Sequence, residues 1–374
     1  MKKTSFYFVL LFAIAQTAAA QNNKTAVKTM IDKLLRYEVE IDFKQTPCLT
    51  IGVLMQDSTY TFHYGSLELD KKSPAPNDKT EFEIGSVTKV FTATLLAQAV
   101  TEGKIKLTDT VEKYLPKGYK LPEFNNQPIR FLDLATHTAG LPKFPYNIGN
   151  KEDGFNNLYK NYTADDERAF LSTYRLRTAP FDKYNYSHLS YDILAQALVT
   201  IYKAGSYEAL LQEKIGKPLG LTDTRINLDS LQKLRLPKGH SMIGQPVAAW
   251  EFRSFEGSLG LKSTVTDLLH WTRLQFDTPT DFRASLVLAR TAQHKADKEG
   301  IETALGWHSV AIMKKFPNVI VHSGVTDGFR CYTAFVPETR TAVVILSNSE
   351  RPLNGLGGLI LQMLNYNWKL PKKK

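Results

Sequence analysis

Strand-forming sequence is concentrated at the two ends of this chain, and the middle is mostly helical or irregular. The β-rich segments lie at residues 47–69, where a hairpin pattern occurs, and at 318–322, 330–336 and 341–346. Apolar residues at helical spacing predict helices between them, including Tyr191–Tyr202 and Asp267–Leu274. The simplest arrangement is an α+β fold, an α/β sandwich in which both ends form one antiparallel sheet (about 40–85 and 300–374) around a helical insert (about 100–295).

The first 20 residues have the features of a signal peptide. Lys2 and Lys3 precede an apolar run, and Ala18–Ala20 before Gln21 form a small-residue cleavage site. The run is too short to span a bilayer, and no cysteine lies at the cleavage point to carry a lipid. We therefore expect residues 21–374 to form one exported domain, periplasmic or secreted, with no stable membrane anchor. A retained N-terminal anchor is the alternative.

Composition argues against several other classes of protein. The net charge is +10, but the basic residues are dispersed apart from Lys372–Lys374, so no nucleic-acid partner is expected. Two cysteines do not make a disulfide framework. No His, Cys, Asp and Glu residues have the spacing of metal ligands, so we expect neither a metal nor another cofactor. His137 lies in a turn-like segment, where a structural role is more plausible than a catalytic one.

Ser86 and Lys89 are the first candidates for chemistry. They lie one helical turn apart at the start of a long apolar segment, so the lysine amine can reach the serine hydroxyl. Serine is a weak nucleophile until a neighbouring group accepts its proton. The same spacing recurs at Ser230 and Lys233, but in a charged segment with no buried helix behind it. The context therefore favours Ser86 as the nucleophile.

Two further segments accompany this pair in the order known from one superfamily. Tyr184–His188 precedes a predicted helix, and His322–Gly324 ends a β-rich segment. With Ser86 and Lys89 they resemble the three motifs of the serine beta-lactamase and penicillin-binding-protein superfamily, in its class C, esterase and D-peptidase branch. Three more segments resemble the same branch: Leu134–Pro142, Lys217–Thr224 and Gly257–Leu268.

The resemblance implies roles for individual residues. Ser86 is the nucleophile, Lys89 its partner, and Tyr186 a proton relay between Ser86, Lys89 and the leaving group. Which of Lys89 and Tyr186 is the general base stays open at this stage. The backbone N–H groups of Ser86 and Val325 form the oxyanion hole. The residues implied in substrate binding are His188, His322, Ser323, Gly324 and Val325.

Two departures from the family pattern bear on the substrate. His188 replaces an asparagine whose amide can hold a substrate carbonyl. His322 replaces a lysine that suits a substrate carboxylate, and histidine, with an ordinary pKa of about 6.5, is mostly neutral at pH 7. We therefore expect a carboxylesterase or D-amino-acid peptidase acting on a small ester or a peptide, including cell-wall peptide. A class C-like beta-lactamase and a non-catalytic binding or sensor module are the alternatives.

The strand order implied by the resemblance also concerns the cysteines. It separates the strands of Cys48 and Cys331 by the strand at 341–346. Two strand spacings amount to roughly 9–10 Å, whereas a disulfide needs Cα atoms within about 7 Å. We therefore expect both thiols to be free.

Overall fold

The structure is a computed structural model. It describes residues 23–39, 41–69, 72–149, 158–277, 280–296, 300–312, 316–353 and 355–366. The predicted signal peptide lies outside these residues. In the ranges given, no helix has the length and apolar character needed to cross a membrane.

One eight-stranded antiparallel sheet is built from both ends of the chain. Its strands are β1 (Cys48–Met55), β2 (Ser58–Gly65), β7 (His294–Lys295), β8 (Ile301–Thr303), β9 (His308–Val310), β10 (Val319–Val325), β11 (Arg330–Val336) and β12 (Thr341–Ser347). They lie in the order β2-β1-β12-β11-β10-β9-β8-β7. The predicted α+β fold is therefore confirmed, with the hairpin at β1–β2 and the three C-terminal strands where the β-rich segments indicated. Four two-residue strands pair outside this sheet: β3 (Phe82–Glu83), β4 (Gly239–His240), β5 (Pro246–Val247) and β6 (Lys262–Ser263).

The helices come mainly from the middle of the chain, as predicted. They are α1 (23–37), α2 (Thr88–Thr101), α3 (Phe131–Ala135), α4 (Leu158–Asn161), α5 (Ala164–Thr173), α6 (His188–Tyr202), α7 (Tyr207–Leu211), α8 (Ser230–Lys233), α9 (Glu256–Leu259), α10 (Val265–Leu274), α11 (Thr280–Arg290) and α12 (Leu356–Leu364). Short 3₁₀ turns lie at Gly85–Val87, Glu112–Tyr114 and Pro337–Thr339, and a π-helical turn at Gln212–Gly216. Helix α5 begins at a capping box in which Thr163 and Asp166 bond each other's backbone N–H.

The sheet is covered on both faces. Alternate residues of β1 and β12, such as Ile51 and Ile345, pack against α1 and α12, which the sequence reading did not anticipate. The other residues, such as Leu54 and Val344, pack against the helical insert. Every residue of β12 is consequently buried. This explains why its sequence is a continuous apolar run rather than an alternating one.

The two cysteines are free and buried. Strand β12 lies between their strands, because Leu346 pairs with Thr50 on one side and with Cys331 on the other. The prediction of free thiols is confirmed. Burial raises the pKa of Cys48 to about 12 and that of Cys331 further, so neither thiol is reactive near neutral pH.

Candidate active site

Ser86 lies where strand β10 meets the start of α2. It is in the 3₁₀ turn Gly85–Val87, which runs directly into α2, and nearly all of α2 is buried. Lys89 is in the first turn of that helix and is fully buried, with its Nζ 3.3 Å from Ser86 Oγ. The predicted placement of the serine at the start of a buried helix is therefore confirmed.

The second Ser-x-x-Lys pair has no such environment. Ser230 and Lys233 are both exposed, in the four-residue helix α8 that Asp229 caps. A serine there has no buried amine to accept its proton. The structure thus separates the two copies in the same way as their sequence context does.

The Lys89 amine is held by groups that cannot neutralise a positive charge. Its Nζ lies 2.9 Å from His188 Nδ1 and donates to the Ser258 carbonyl oxygen at 3.0 Å. Among the described residues no carboxylate pairs with it. Burial, with a contribution from Lys143, holds the pKa of Lys89 well below its ordinary value. A neutral amine next to a serine hydroxyl can accept its proton.

Tyr186 completes the group around the serine. Its ring lies 5.1 Å from Lys89 Nζ, and its phenol is close enough to the Ser86 side chain to be influenced by it. Burial raises the pKa of Tyr186, although the nearby Ser86 side chain opposes the shift. The ring packs on His137, with 4.3 Å between centroids. The phenol is therefore protonated near neutral pH and can donate.

His188 is the first residue of α6 and lines the cleft beside Lys89. The preceding residue, Ser187, caps the helix by accepting from Ser190 N at 3.0 Å. The His188 backbone N–H donates to the Lys143 carbonyl oxygen at 2.9 Å, and its ring stacks on Phe144 with 4.6 Å between centroids. These contacts fix the orientation of the imidazole.

Two glycines allow the strand and the serine turn to touch. A Cβ on Gly324 would come within 1.9 Å of Ile84 O and 3.0 Å of Ser86 N. Gly85 has a φ of +49°, and a Cβ there would lie 2.9 Å from Val325 N. Only glycine fits such an approach. It brings the backbone at Val325 against the serine turn, and an oxyanion hole formed by the N–H groups of Ser86 and Val325 stays a prediction.

The His322–Gly324 segment presents its residues to two different faces. Ser323 and Val325 line the cleft, whereas His322 is buried on the side of β10 turned to the helices. His322 Nδ1 lies 2.8 Å from the Ser323 carbonyl oxygen. Burial, His308 and Lys89 hold the pKa of His322 well below the ordinary value for histidine. The assigned contact between His322 and substrate stays a prediction.

His137, His308 and His322 lie close together beneath the cleft. The rings of His308 and His322 are 5.4 Å apart, and His137 Nδ1 accepts from Ser187 N at 3.1 Å. His137 has a φ of 61°, in keeping with the predicted turn. In the part of the chain that the structure describes, no group of three or more His, Cys, Asp or Glu residues could hold a metal ion.

The cleft above Ser86 has a volume of about 390 Å³ and carries charges of both signs. Its residues are Ser86, Lys143, Phe144, Tyr159, Tyr186, His188, Trp250, Leu259, Ser323, Val325, Thr326, Asp327 and Glu350. Asp327 accepts from Trp250 Nε1 at 2.8 Å, and the Trp250 ring packs on Tyr159. A substrate therefore meets an aromatic wall, one lysine and two carboxylates.

Several of these residues were not found from the sequence. Ser258 lies in a segment that resembles the family, but nothing in its spacing links its carbonyl to Lys89, 169 positions away. Trp250, Asp327 and Glu350 come from loops with no periodic pattern. The segment Lys143–Lys160, rich in Asn, Tyr and Phe, is the part of the chain that the sequence predicts at the border of the cleft, and Lys143, Phe144 and Tyr159 do line it.

Comparison with known proteins identifies the family. The beta-lactamase family profile matches residues 31–362. The chain belongs to the beta-lactamase family. It is 31% identical to the D-alanyl-D-alanine-carboxypeptidase/endopeptidase AmpH of Escherichia coli K12, over 71% of this chain and 70% of that protein. It is 27% identical to a beta-lactamase of Pseudomonas fluorescens, over 81% of this chain and 89% of that protein.

Solved structures in the family have the same fold. A beta-lactamase/D-alanine carboxypeptidase from Yersinia pestis, complexed with citrate, superposes with a TM-score of 0.77 at 25% identity, over 91% of this chain and 99% of that one. A class C beta-lactamase in complex with cefoxitin gives a TM-score of 0.79 at 21% identity, over the same shares of the two chains. The predicted superfamily is confirmed, and with it the assignment of the chain as a serine hydrolase.

Proposed function

We propose that this chain is an exported hydrolase that forms an acyl-enzyme on Ser86 and cleaves peptide amides or esters. The observation that carries the proposal is the environment of Lys89. Its amine is fully buried, has no carboxylate partner among the described residues, and lies 3.3 Å from Ser86 Oγ. Such an amine is neutral and available as a base.

The proposed reaction has two halves. Lys89 accepts the proton of Ser86 as Oγ bonds to the substrate carbonyl carbon, and the N–H groups of Ser86 and Val325 hold the oxyanion. Lys89 passes the proton towards the leaving group through the Tyr186 phenol, and the amide C–N or ester C–O bond breaks. Water then attacks the acyl carbon, Ser86 recovers its proton, and the acid is released. Lys89 is the base in this scheme, because the raised pKa of Tyr186 disfavours a tyrosinate.

The charges of the cleft favour substrates that place no carboxylate group of their own beside Asp327 and Glu350. Two carboxylates line this part of the cleft, while His322 is buried and neutral. A carboxylate placed there would be repelled, and a neutral ester or an internal peptide bond would not. The name of the Escherichia coli relative, D-alanyl-D-alanine-carboxypeptidase/endopeptidase, supports D-amino-acid peptides of the cell wall as the peptide substrates.

A beta-lactamase activity is the second candidate. It is favoured by relatives of that name, including the one from Pseudomonas fluorescens. The cleft argues against an efficient one, because penicillins bear a carboxylate and the lysine of the third motif is replaced by the buried His322. A non-catalytic sensor is disfavoured by the intact set of Ser86, Lys89 and Tyr186.

Intact-mass spectrometry tests the proposal. Purified protein is exposed separately to a fluorophosphonate, a penicillin, a neutral ester and a D-alanyl-D-alanine peptide. We expect a covalent fluorophosphonate adduct on Ser86, and turnover of the ester or the peptide. Ser86→Ala should abolish both, and the exposed Ser230→Ala should leave both intact. Full labelling of Ser86→Ala would refute the assignment.

Export is proposed from the sequence of the first 20 residues. The proposal predicts a mature N-terminus at Gln21, with the protein in the periplasmic or secreted fraction. N-terminal peptide mapping of protein from its native host measures this directly. A chain that keeps its leader and sediments with membranes would favour the retained anchor.

A further inference from the structure

We infer that His188 is a positioning residue that directs the Lys89 lone pair at Ser86 and presents an imidazole N–H to the substrate. In this arrangement Nδ1 is the acceptor and Nε2 carries the proton. The inference rests on the proposed acyl-enzyme function and deepens it, because the tautomer of His188 decides whether Lys89 can act as a base.

The hydrogen-bonding capacity of Lys89 limits how its neighbours can be arranged. A neutral amine has two N–H donors and one lone pair, and Lys89 Nζ has three neighbours. The carbonyl oxygen of Ser258, at 3.0 Å, can only accept, so it takes one N–H. If the lone pair is to receive the Ser86 proton at 3.3 Å, the remaining N–H must go to His188 Nδ1 at 2.9 Å.

This assignment requires an unprotonated Nδ1. With a proton there, the imidazole would donate to the Lys89 lone pair and occupy the orbital that must accept from Ser86. The Ser258 hydroxyl, 3.3 Å from the same Nδ1, is free to rotate and can donate to it as well. The two neighbours of Nδ1, the Lys89 amine and the Ser258 hydroxyl, can therefore both donate to it. The Ser258 carbonyl oxygen accepts from Lys89 instead.

A neutral imidazole carries one proton, so it must then be on Nε2. Burial keeps His188 neutral, and the charged or titratable groups facing it are Lys89, Lys143, His137, His322 and Tyr186. Stacking on Phe144 fixes the ring plane. Because His188 lines the cleft, the Nε2–H is a donor on the substrate side.

The inferred tautomer has the hydrogen-bond polarity of an asparagine side chain. Asparagine would offer its carbonyl oxygen to Lys89 and its NH₂ to the substrate, in the same sense as Nδ1 and Nε2–H. The replacement of asparagine by His188 therefore preserves amide-carbonyl recognition.

Three substitutions separate a directing role from a purely structural one. His188→Asn keeps an acceptor and a donor, His188→Phe keeps the ring that stacks on Phe144 but has neither, and His188→Asp keeps only an acceptor and adds a charge. We expect fluorophosphonate labelling of Ser86 to fall by about 100-fold in the Phe variant and by less than about 5-fold in the Asn variant.

The pH dependence of labelling supplies the readout that a structural role would not move. A carboxylate beside Lys89 stabilises its ammonium form, so His188→Asp should shift the onset of labelling to higher pH. His188→Asn adds no charge and should leave the onset near that of the unsubstituted protein. Equal losses in all three variants, with melting temperatures unchanged, would overturn the inference.

The tautomer of His188 can be measured directly in the unsubstituted protein. Long-range ¹H–¹⁵N correlation spectra of protein with labelled histidines distinguish the two neutral tautomers and the imidazolium, and the His188→Asn spectrum assigns the signal. We expect the Nε2–H form at pH 7. An Nδ1–H or imidazolium form would overturn the inference even if Ser86 is acylated. The proposed function is tested separately, by whether Ser86→Ala loses fluorophosphonate labelling.

Discussion

The carboxylate of Asp192, in α6, accepts the backbone N–H of Phe255 at 2.7 Å and so holds the segment that carries Ser258 to Lys89. Phe255 adopts a left-handed conformation, with a φ of 64°, immediately before α9. A non-glycine residue in that conformation needs support from its surroundings. Asp192 supplies it from a fully buried position outside the cleft lining.

This relationship predicts different effects of two substitutions at Asp192. Asp192→Ala leaves the Phe255 N–H without its acceptor, at a cost of about 1–3 kcal/mol in the free energy of unfolding. It should also lower the rate of Ser86 labelling, because the Ser258 carbonyl is no longer held against Lys89. Asp192→Asn retains an acceptor and should recover most of both losses. Thermal unfolding and labelling kinetics at pH 7 measure the two effects, and equal rates for Ala and Asn would contradict the coupling.

A second prediction concerns the shared proton between Asp192 and Glu167. Both carboxyl groups are buried, and Glu167 Oε2 and Asp192 Oδ2 have no hydrogen-bond partner among the described residues, so one proton shared between the two groups would satisfy both oxygens. Burial raises the pKa of each carboxyl group above its ordinary value, and the Asp192 charge raises that of Glu167 further. The native state therefore binds a proton that the unfolded chain releases above about pH 4. Its contribution to stability is complete below that pH and is lost as the pH rises through the native-state pKa.

Glu167→Gln replaces the shared proton with an amide N–H, which does not titrate. The melting temperature of the variant minus that of the unsubstituted protein should increase as the pH rises from 5 to 9. The exposed Glu213→Gln is the control and should show no such trend. Differential scanning calorimetry over this range measures it, and an offset that is constant with pH would count against a shared proton.

The third prediction follows from the neutral state of Lys89. Labelling requires the neutral amine, so the rate should rise with pH and level off below the pH at which an ordinary lysine titrates, in line with the lowered pKa of Lys89. Lys89→Arg keeps the side chain permanently charged and should lower the rate by about 1,000-fold, the typical effect of losing a general base. Lys233→Arg, in the exposed pair, should have no effect. A Lys89→Arg protein that labels normally would exclude Lys89 as the base.

The fourth prediction concerns the contact between β10 and the serine turn. A methyl group on Gly324 would overlap Ile84 O at 1.9 Å, so Gly324→Ala must push β10 away from Ser86. Loss of one oxyanion donor lowers acyl transfer by about 10²–10³-fold. Gly358→Ala is the matched control, since a Cβ there has no atom within 4 Å. If a folded Gly324→Ala protein is labelled at the normal rate, Val325 N is not a donor of the oxyanion hole.

The sequence was sufficient for features that depend on local pattern. Apolar alternation and continuous apolar runs predict β1, β2 and β10–β12, and the helix behind Ser86 explains the burial of Lys89. Contacts across long stretches of chain leave no such pattern. The Ser258 carbonyl at Lys89 and the Asp192 carboxylate at Phe255 depend on how α6 and α9 pack, which spacing does not encode.

His322 shows a further limit of reasoning from motifs. Its position in the sequence matches the family's lysine, to which binding of a substrate carboxylate is assigned. Alternation along β10, however, places Ser323 and Val325 on the cleft and His322 on the buried side. A titration of His322 near pH 6.5 is therefore not expected. His322→Lys, measured as the ratio of rates for carboxylate-bearing and neutral substrates, remains the test of whether this position contacts a substrate carboxylate.

The last prediction concerns the two carboxylates of the cleft. Asp327→Asn keeps an acceptor for Trp250 Nε1 and removes one negative charge. The test compares two esters whose leaving groups differ only in one substituent, a carboxylate in one and a neutral carboxamide in the other. The ratio of their hydrolysis rates, carboxylate over carboxamide, should rise by about 5-fold in Asp327→Asn, and Glu350→Gln should act in the same direction. The gain should shrink in 0.5 M salt, because the charges are partly exposed and mobile ions screen them. Glu213→Gln, outside the cleft lining, should leave the ratio unchanged. If Asp327→Asn also leaves it unchanged at low salt, these carboxylates do not select against anionic substrates, and the preference for neutral leaving groups must have another origin.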